Sequence, residues 1–185
     1  MGLTELKREL QKLDKDQLIG LISDLYKKEK SVQQLLDFYV DPNEKELYRE
    51  YRHTVITAFY PERGYEIKLH KGRQAISDFG KYGPSSRLLA DLMIVYVETG
   101  VSFTNDFGDM NESFYSSLET MFVRALKLMQ KEGILNKFAT RAKAIVDDTR
   151  NVGWGFHDYL ANVYYSYFPD EIAAEKWSEF IWEYK

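Results

Sequence analysis

PSSRLLADLMIVYVETGVSFTNDFGDMNESFYSSLETMFVRALKLMQKEG, residues Pro84 to Gly133, is the stretch whose reading decides the fold. Pro84 needs no amide partner at a helix entry, and the oxygens of Ser85 and Ser86 suit the open amides there. Leu88, Leu89, Leu92, Met93 and Tyr96 then recur at three- and four-residue spacing, one stripe of a helix, with Gly100 as the expected exit. A polar loop follows. From Phe114 a second stripe carries Leu118, Met121, Phe122, Ala125, Leu128 and Met129 until Gly133 stops it. Two apolar stripes of that length bury each other, which makes this helical pair the hub of an all-α chain.

The same period runs outward in both directions. Toward the N-terminus, Leu3, Leu6, Leu10 and Leu13 mark a short amphipathic helix, and Asp14 with Gln17 forms a capping-box start for a second one bearing Leu18, Leu21, Ile22 and Leu25. These two are expected to form a hairpin. A third helix is expected over residues 31–40 with Val32, Leu35, Leu36 and Tyr39 inward. Asp41-Pro42-Asn43-Glu44 combines an N-cap acid, a first-turn proline and an N3 carboxylate ahead of Leu47, Tyr51, Val55 and Phe59. Between Glu62 and Arg73 the period changes, since Tyr65, Ile67 and Leu69 alternate with Glu66, Lys68 and His70. With no second strand to pair it, this reads as an extended crossover, and helix resumes near Arg73 with Ala75, Ile76 and Phe79. Beyond the hub, Phe138, Ala142, Ile145 and Val146 give another helix. Gly153-Trp154-Gly155 is a bend anchored by its indole. A helix from Phe156 to Pro169 and a terminal one with Ile172, Trp177, Phe180, Ile181 and Tyr184 complete the chain. The expectation is an all-α antiparallel bundle, or a short solenoid of helical hairpins, of about nine or ten helices with no significant sheet. Residues 1–185 read as a single domain, with the 1–30 hairpin as a semi-independent unit.

Composition narrows the function classes. A chain of 185 residues buries its own core without a staple, and zero cysteines exclude both disulfides and thiolate metal sites, which suits the cytoplasm. No leader pattern opens MGLTELKREL, and no run approaches the roughly 20 apolar residues that span a bilayer. A net charge of −4 disfavours nonspecific nucleic-acid binding. Aromatic content of 15%, with 14 Tyr and 11 Phe, suits helix faces that are packed or recognised by a protein partner.

No complete catalytic set appears. Glu50 and His53 form one E-x-x-H, but a di-iron bundle needs a second pair and neither His70 nor His157 has its glutamate. His157-Asp158 is the dipeptide of helical phosphohydrolases, with His53 or His70 upstream and Asp170 downstream at poor spacing. Asn105, Asp106, Asp109, Asn111 and Glu112 crowd oxygens into the hub loop without the glycine and glutamate offsets of a calcium loop, so a helix cap at Asp109 or Asn111 accounts for them. Arg63, Lys68, His70, Lys71 and Arg73 make a basic arm able to take an anion or an acidic partner helix.

Two segments carry a family resemblance: VETGVSFTNDFGDMNESFYSSLETM, Val97 to Met121, and TRNVGWGFHDYLANVYYSYF, Thr149 to Phe168. They resemble the signature segments of a bacterial family catalogued as a domain of unknown function. The resemblance implies an all-helical fold and assigns no activity, cofactor or catalytic residue. It draws attention to Glu98, Thr104, Asn105, Gly108, Asp109, Trp154, Gly155 and His157, which would form a polar pocket walled by aromatics if the segments meet. The binding candidates are therefore Glu98, Asn105, Asp106, Asp109, Glu112, Trp154 and His157, with Arg63, Lys68, Lys71 and Arg73 for an anion. The leading functional expectation is a noncatalytic scaffold or protein-interaction domain with no cofactor. The alternative is a small metal-assisted hydrolase using the hub-loop carboxylates with His157.

Overall fold

The computed structural model describes residues 2–169, and the expected terminal helix with Ile172, Trp177, Phe180, Ile181 and Tyr184 lies outside them. The described residues are all-α, with no strand. Among the described residues nine α-helices follow one another: α1 Leu3–Leu10, α2 Lys15–Lys28, α3 Lys30–Val40, α4 Glu44–Phe59, α5 Leu69–Lys81, α6 Ser86–Phe107, α7 Glu112–Lys131, α8 Ala139–Asp147 and α9 Phe156–Tyr167, with a 3-10 turn at Leu135–Lys137. The chain divides into two compact units, and the division falls between Glu44 and Lys45.

In the N-terminal unit, α2 begins on the predicted box. The Gln17 amide donates to Asp14 Oδ1 at 2.8 Å, and the Asp14 amide donates to Gln17 Oε1 at 3.0 Å. The packed pair is α2 with α3, where the Tyr26 hydroxyl donates to Asp37 at 2.8 Å; the expected pairing of α1 with α2 does not form at that scale. None of the three helices buries a residue. Leu35 and Tyr39, expected inward, are 41% and 82% exposed. A stripe on a helix states which side is apolar, and only a partner element turns it into a core.

The second unit is built on the α6–α7 hairpin. α5 and α8 pack on α6, α9 packs on α7, and α8 and α9 meet each other. The helices so packed lie one or two places apart in the chain, a connectivity that an antiparallel bundle and a pair of stacked helical hairpins share. Phe59 of α4 sits at the centre, its ring 4.9 Å from Tyr96 and 6.0 Å from Phe114. Three boundaries differ from expectation. Gly100 does not end α6. It lies mid-helix, where a β-carbon would stand 2.4 Å from Leu118 Cδ2 and 3.0 Å from Phe59 Cε1, so its role is to let α6 approach its neighbours. The helix runs about two turns further, to Phe107, which puts Asn105 and Asp106 on α6 and leaves Gly108 to Asn111 as the loop. α5 starts at Leu69, so Leu69 to Gly72 are helical and the non-helical crossover is shorter than its alternation suggested. α4 starts at Glu44, after Pro42.

Candidate functional site

The two segments of the family resemblance do meet. Asn105 Nδ2 donates to the Asp148 carbonyl at 3.0 Å, and the Gly153 amide points to Asp109 Oδ1 at 3.4 Å. The Tyr115 ring lies 4.8 Å from Phe156. At the centre of the contact is the Tyr115 hydroxyl, which is 2.8 Å from Thr104 Oγ1, accepts from the Met110 amide at 3.0 Å and donates to Asp109 Oδ1 at 3.1 Å. Asn111 caps α7 by accepting from the Phe114 amide at 3.0 Å. This network holds the α6–α7 turn against the α8–α9 bend.

The candidate side chains nevertheless go to separate partners. Asp106 accepts from the Tyr60 hydroxyl at 2.6 Å, and burial, then that hydrogen bond and the nearby carboxylate charge, raise the Tyr60 pKa, so Tyr60 stays a donor. Glu112 lines a groove on the other side of α7 together with Arg73. His157 turns away from the loop: its Nδ1 is 3.1 Å from the Val146 carbonyl and 3.0 Å from Thr149 Oγ1. Thr149 itself donates to Val146 O at 2.6 Å, so its oxygen is left to accept and the proton belongs on His157 Nδ1. Trp154, expected as an anchor, is 65% exposed and holds a left-handed backbone with φ 63°. No three His, Asp or Glu side chains among the described residues gather closely enough to share a metal ion. The E-x-x-H residue His53 lies 3.3 Å from Glu62, and Asp170 of the HD arrangement is outside the described residues.

Glu98 belongs to a different cluster. Arg141 Nε and Nη2 donate to its two oxygens at 2.9 and 2.7 Å, a bidentate pair, while Nη1 donates to Asp91, which also accepts from the Tyr48 hydroxyl. Burial, then the hydrogen bond to Asp91, raise the Tyr48 pKa. The hydrogen bonds to Glu98 raise that of Arg141 against the effect of burial. This cluster ties α4, α6 and α8 together, one guanidinium bridging two carboxylates. Motif reading does not find Arg141, yet Asp91 and Glu98 at seven-residue spacing, within and just after the apolar run Leu88 to Val97, are the signal that a cation meets them.

The basic arm divides. Arg63, Lys68 and Lys71 line an open depression with Glu62, Glu66 and His53, where Lys68 pairs with Glu66 at 3.4 Å. Arg73, one turn into α5, is carried away from them to α7, where its Nη1 donates to Ser117 Oγ at 2.8 Å.

Most of the exposed large apolar side chains among the described residues are on the N-terminal unit. Leu3, Leu6, Ile19, Leu21, Ile22 and Leu25 are between 40% and 67% exposed, and Val40 is 81% exposed. No helix among the described residues is long and apolar enough to cross a membrane, so a bilayer core does not account for these side chains by a spanning helix.

A family model matches residues 1–168, and its description is a family of unknown function, DUF6155. The chain belongs to that family. The match covers residues of both units. No curated protein and no solved structure matches the chain.

Proposed function

We propose that this protein is a noncatalytic helical interaction domain that assembles with a second copy of itself through α2. The observation that carries the reading is that α1, α2 and α3 bury no residue while exposing a row of leucine and isoleucine side chains. A unit of this size is near the lower limit for building its own core, and with no cysteine it has no disulfide to compensate. Burial against another chain supplies such stabilisation. The exposed side chains offer several hundred Å², approaching the roughly 800 Å² per partner of a standard interface.

A second copy is favoured by the charge order along α2. Asp14 and Asp16 flank Lys15 at its start, and Lys27 and Lys28 stand in its last turn between Asp24 and Glu29, with Leu18, Ile22 and Leu25 along the helix. An antiparallel pairing about a two-fold axis places the acidic end of each helix beside the basic end of the other, with the apolar rows face to face. The lack of cysteine suits a cytoplasmic setting for this assembly.

Sedimentation equilibrium on the full chain tests the proposal. The wild type should show a concentration-dependent monomer–dimer equilibrium. Ile22→Lys should yield monomer with unchanged helical content. Lys27→Glu with Lys28→Glu should weaken the dimer, and adding Asp16→Lys should restore it. A wild type that stays monomeric up to submillimolar concentration overturns the reading.

A further inference from the structure

We propose that the groove between α5 and the outer face of α7 binds a small phosphate monoester through Arg73 and Arg124. The proposal is independent of self-assembly, because every residue in it lies on α5, α6 or α7.

The groove is a cleft of about 600 Å³ lined by Arg73 from α5 and by Glu112, Ser113, Ser116, Ser117, Thr120 and Arg124 from α7, with Met121 as its apolar floor. The four hydroxyl residues and Arg124 recur at the spacing of one helix face that adjoins the core stripe of α7, with Ser117 buried and Ser113, Ser116, Thr120 and Arg124 exposed. Three of these hydroxyls have partners within the chain: Ser113 donates to Asn111 Oδ1 at 2.7 Å, Thr120 donates to the Ser116 carbonyl at 2.8 Å, and Ser117 Oγ lies 2.7 Å from the Tyr96 hydroxyl. A phosphate, with several acceptor oxygens, takes the two guanidinium groups and the Ser116 hydroxyl as its donors.

Arg73 is already positioned. Its Nη1 donates to Ser117 Oγ, and that buried oxygen is 2.7 Å from the hydroxyl of the fully buried Tyr96, so the guanidinium is held from behind by a neutral chain of hydrogen bonds. Among the described residues, no carboxylate forms an ion pair with Arg73 or Arg124. Arg141 shows the contrast, since it meets two acids at bonding distance. Ser117 and Arg124 are seven residues apart, roughly 10 Å along the helix, a gap that two arginine side chains close around one anion. Glu112, at the opposite end of the groove from Arg124, repels a second phosphate and accepts from a hydroxyl on the remainder of the ligand. That charge order fits a small hydroxylated monoester better than a polyanion.

Isothermal titration calorimetry of the full chain with inorganic phosphate and with glycerol 3-phosphate, against sodium chloride at matched ionic strength, tests this. Glycerol 3-phosphate should bind more tightly than inorganic phosphate. Arg73→Gln and Arg124→Gln should each weaken it by about tenfold, the scale of one charge-assisted hydrogen bond, and the double variant should abolish it. Ser116→Ala, on the exposed side of the groove, should weaken it less. Circular dichroism reports whether each variant keeps its helices. Lack of binding to either probe, or binding that persists in a folded double variant, overturns the proposal.

Discussion

Replacing Gly100 with alanine tests the central packing claim, that α6 and its neighbours approach too closely for a β-carbon. In an unconstrained helix interior the change stabilises by about 1 kcal/mol, because alanine is the better helix former. Here the new methyl would stand 2.4 and 2.8 Å from the two Cδ atoms of Leu118 and 3.0 Å from Phe59 Cε1. Both leucine methyls are involved, so rotating the end of that side chain replaces one overlap with the other. Leu118 and Phe59 are 0% exposed and have no solvent to move into. Overpacking of this kind costs about 1–3 kcal/mol, and with three atoms involved the upper half of that range applies. The net expectation is a loss of about 1–2 kcal/mol, a fall of roughly 2–8 °C in Tm for a chain of this length. Thermal unfolding followed by circular dichroism measures it. In a Leu118→Ala background, itself lower by about 2–5 kcal/mol, the obstruction is gone and Gly100→Ala should stabilise. A Tm for the single variant above wild type would refute the reasoning, since it would mean that only helix propensity acts at this site.

Arg141→Met should destabilise by about 1–3 kcal/mol in urea unfolding, discounted for partial exposure, because Asp91 and Glu98 lose their cation together. Asp78 is held below the ordinary carboxylate range by hydrogen bonds from Lys81 and Gln74. Against the pull of partial burial, Asp147 is held low by Arg150 and Lys143. Their contributions are present above the unfolded pKa and are lost as pH falls through the lower folded value. Asp78→Asn and Asp147→Asn should therefore each be less stable than wild type at neutral pH, by under about 1 kcal/mol, and converge with it in acid. Glu119 has the opposite sign: burial, then the charge of Glu112, raise its pKa, so ionisation costs stability above the carboxylate range. Glu119→Gln should raise Tm slightly at neutral pH and leave it unchanged in acid.

Helix existence was legible in the residues because it rests on local spacing. The stripes of α6 and α7, the Asp14–Gln17 box and the Asn111 cap each need only their own turn of chain, and each is present. Gly100 was not legible, since a glycine that ends a helix and one that admits a neighbouring side chain look identical in sequence. The hub-loop oxygens shared a stretch of chain without sharing a destination. Asp106 and Asp109 lie three residues apart, yet one accepts from Tyr60 and the other from Tyr115.

By itself, then, the order of residues determined the all-α class, most helix positions and which side of each helix is apolar, because these follow from hydrogen bonds and spacing within a few turns. Tertiary structure decided what meets each side. It brought Arg141 to acids more than forty residues away, turned Arg73 to Ser117 and away from its basic neighbours, and left the apolar rows of α2 and α3 largely uncovered. The physical reason is that a period specifies a direction from a helix axis, while burial and charge pairing depend on what another part of the chain places there.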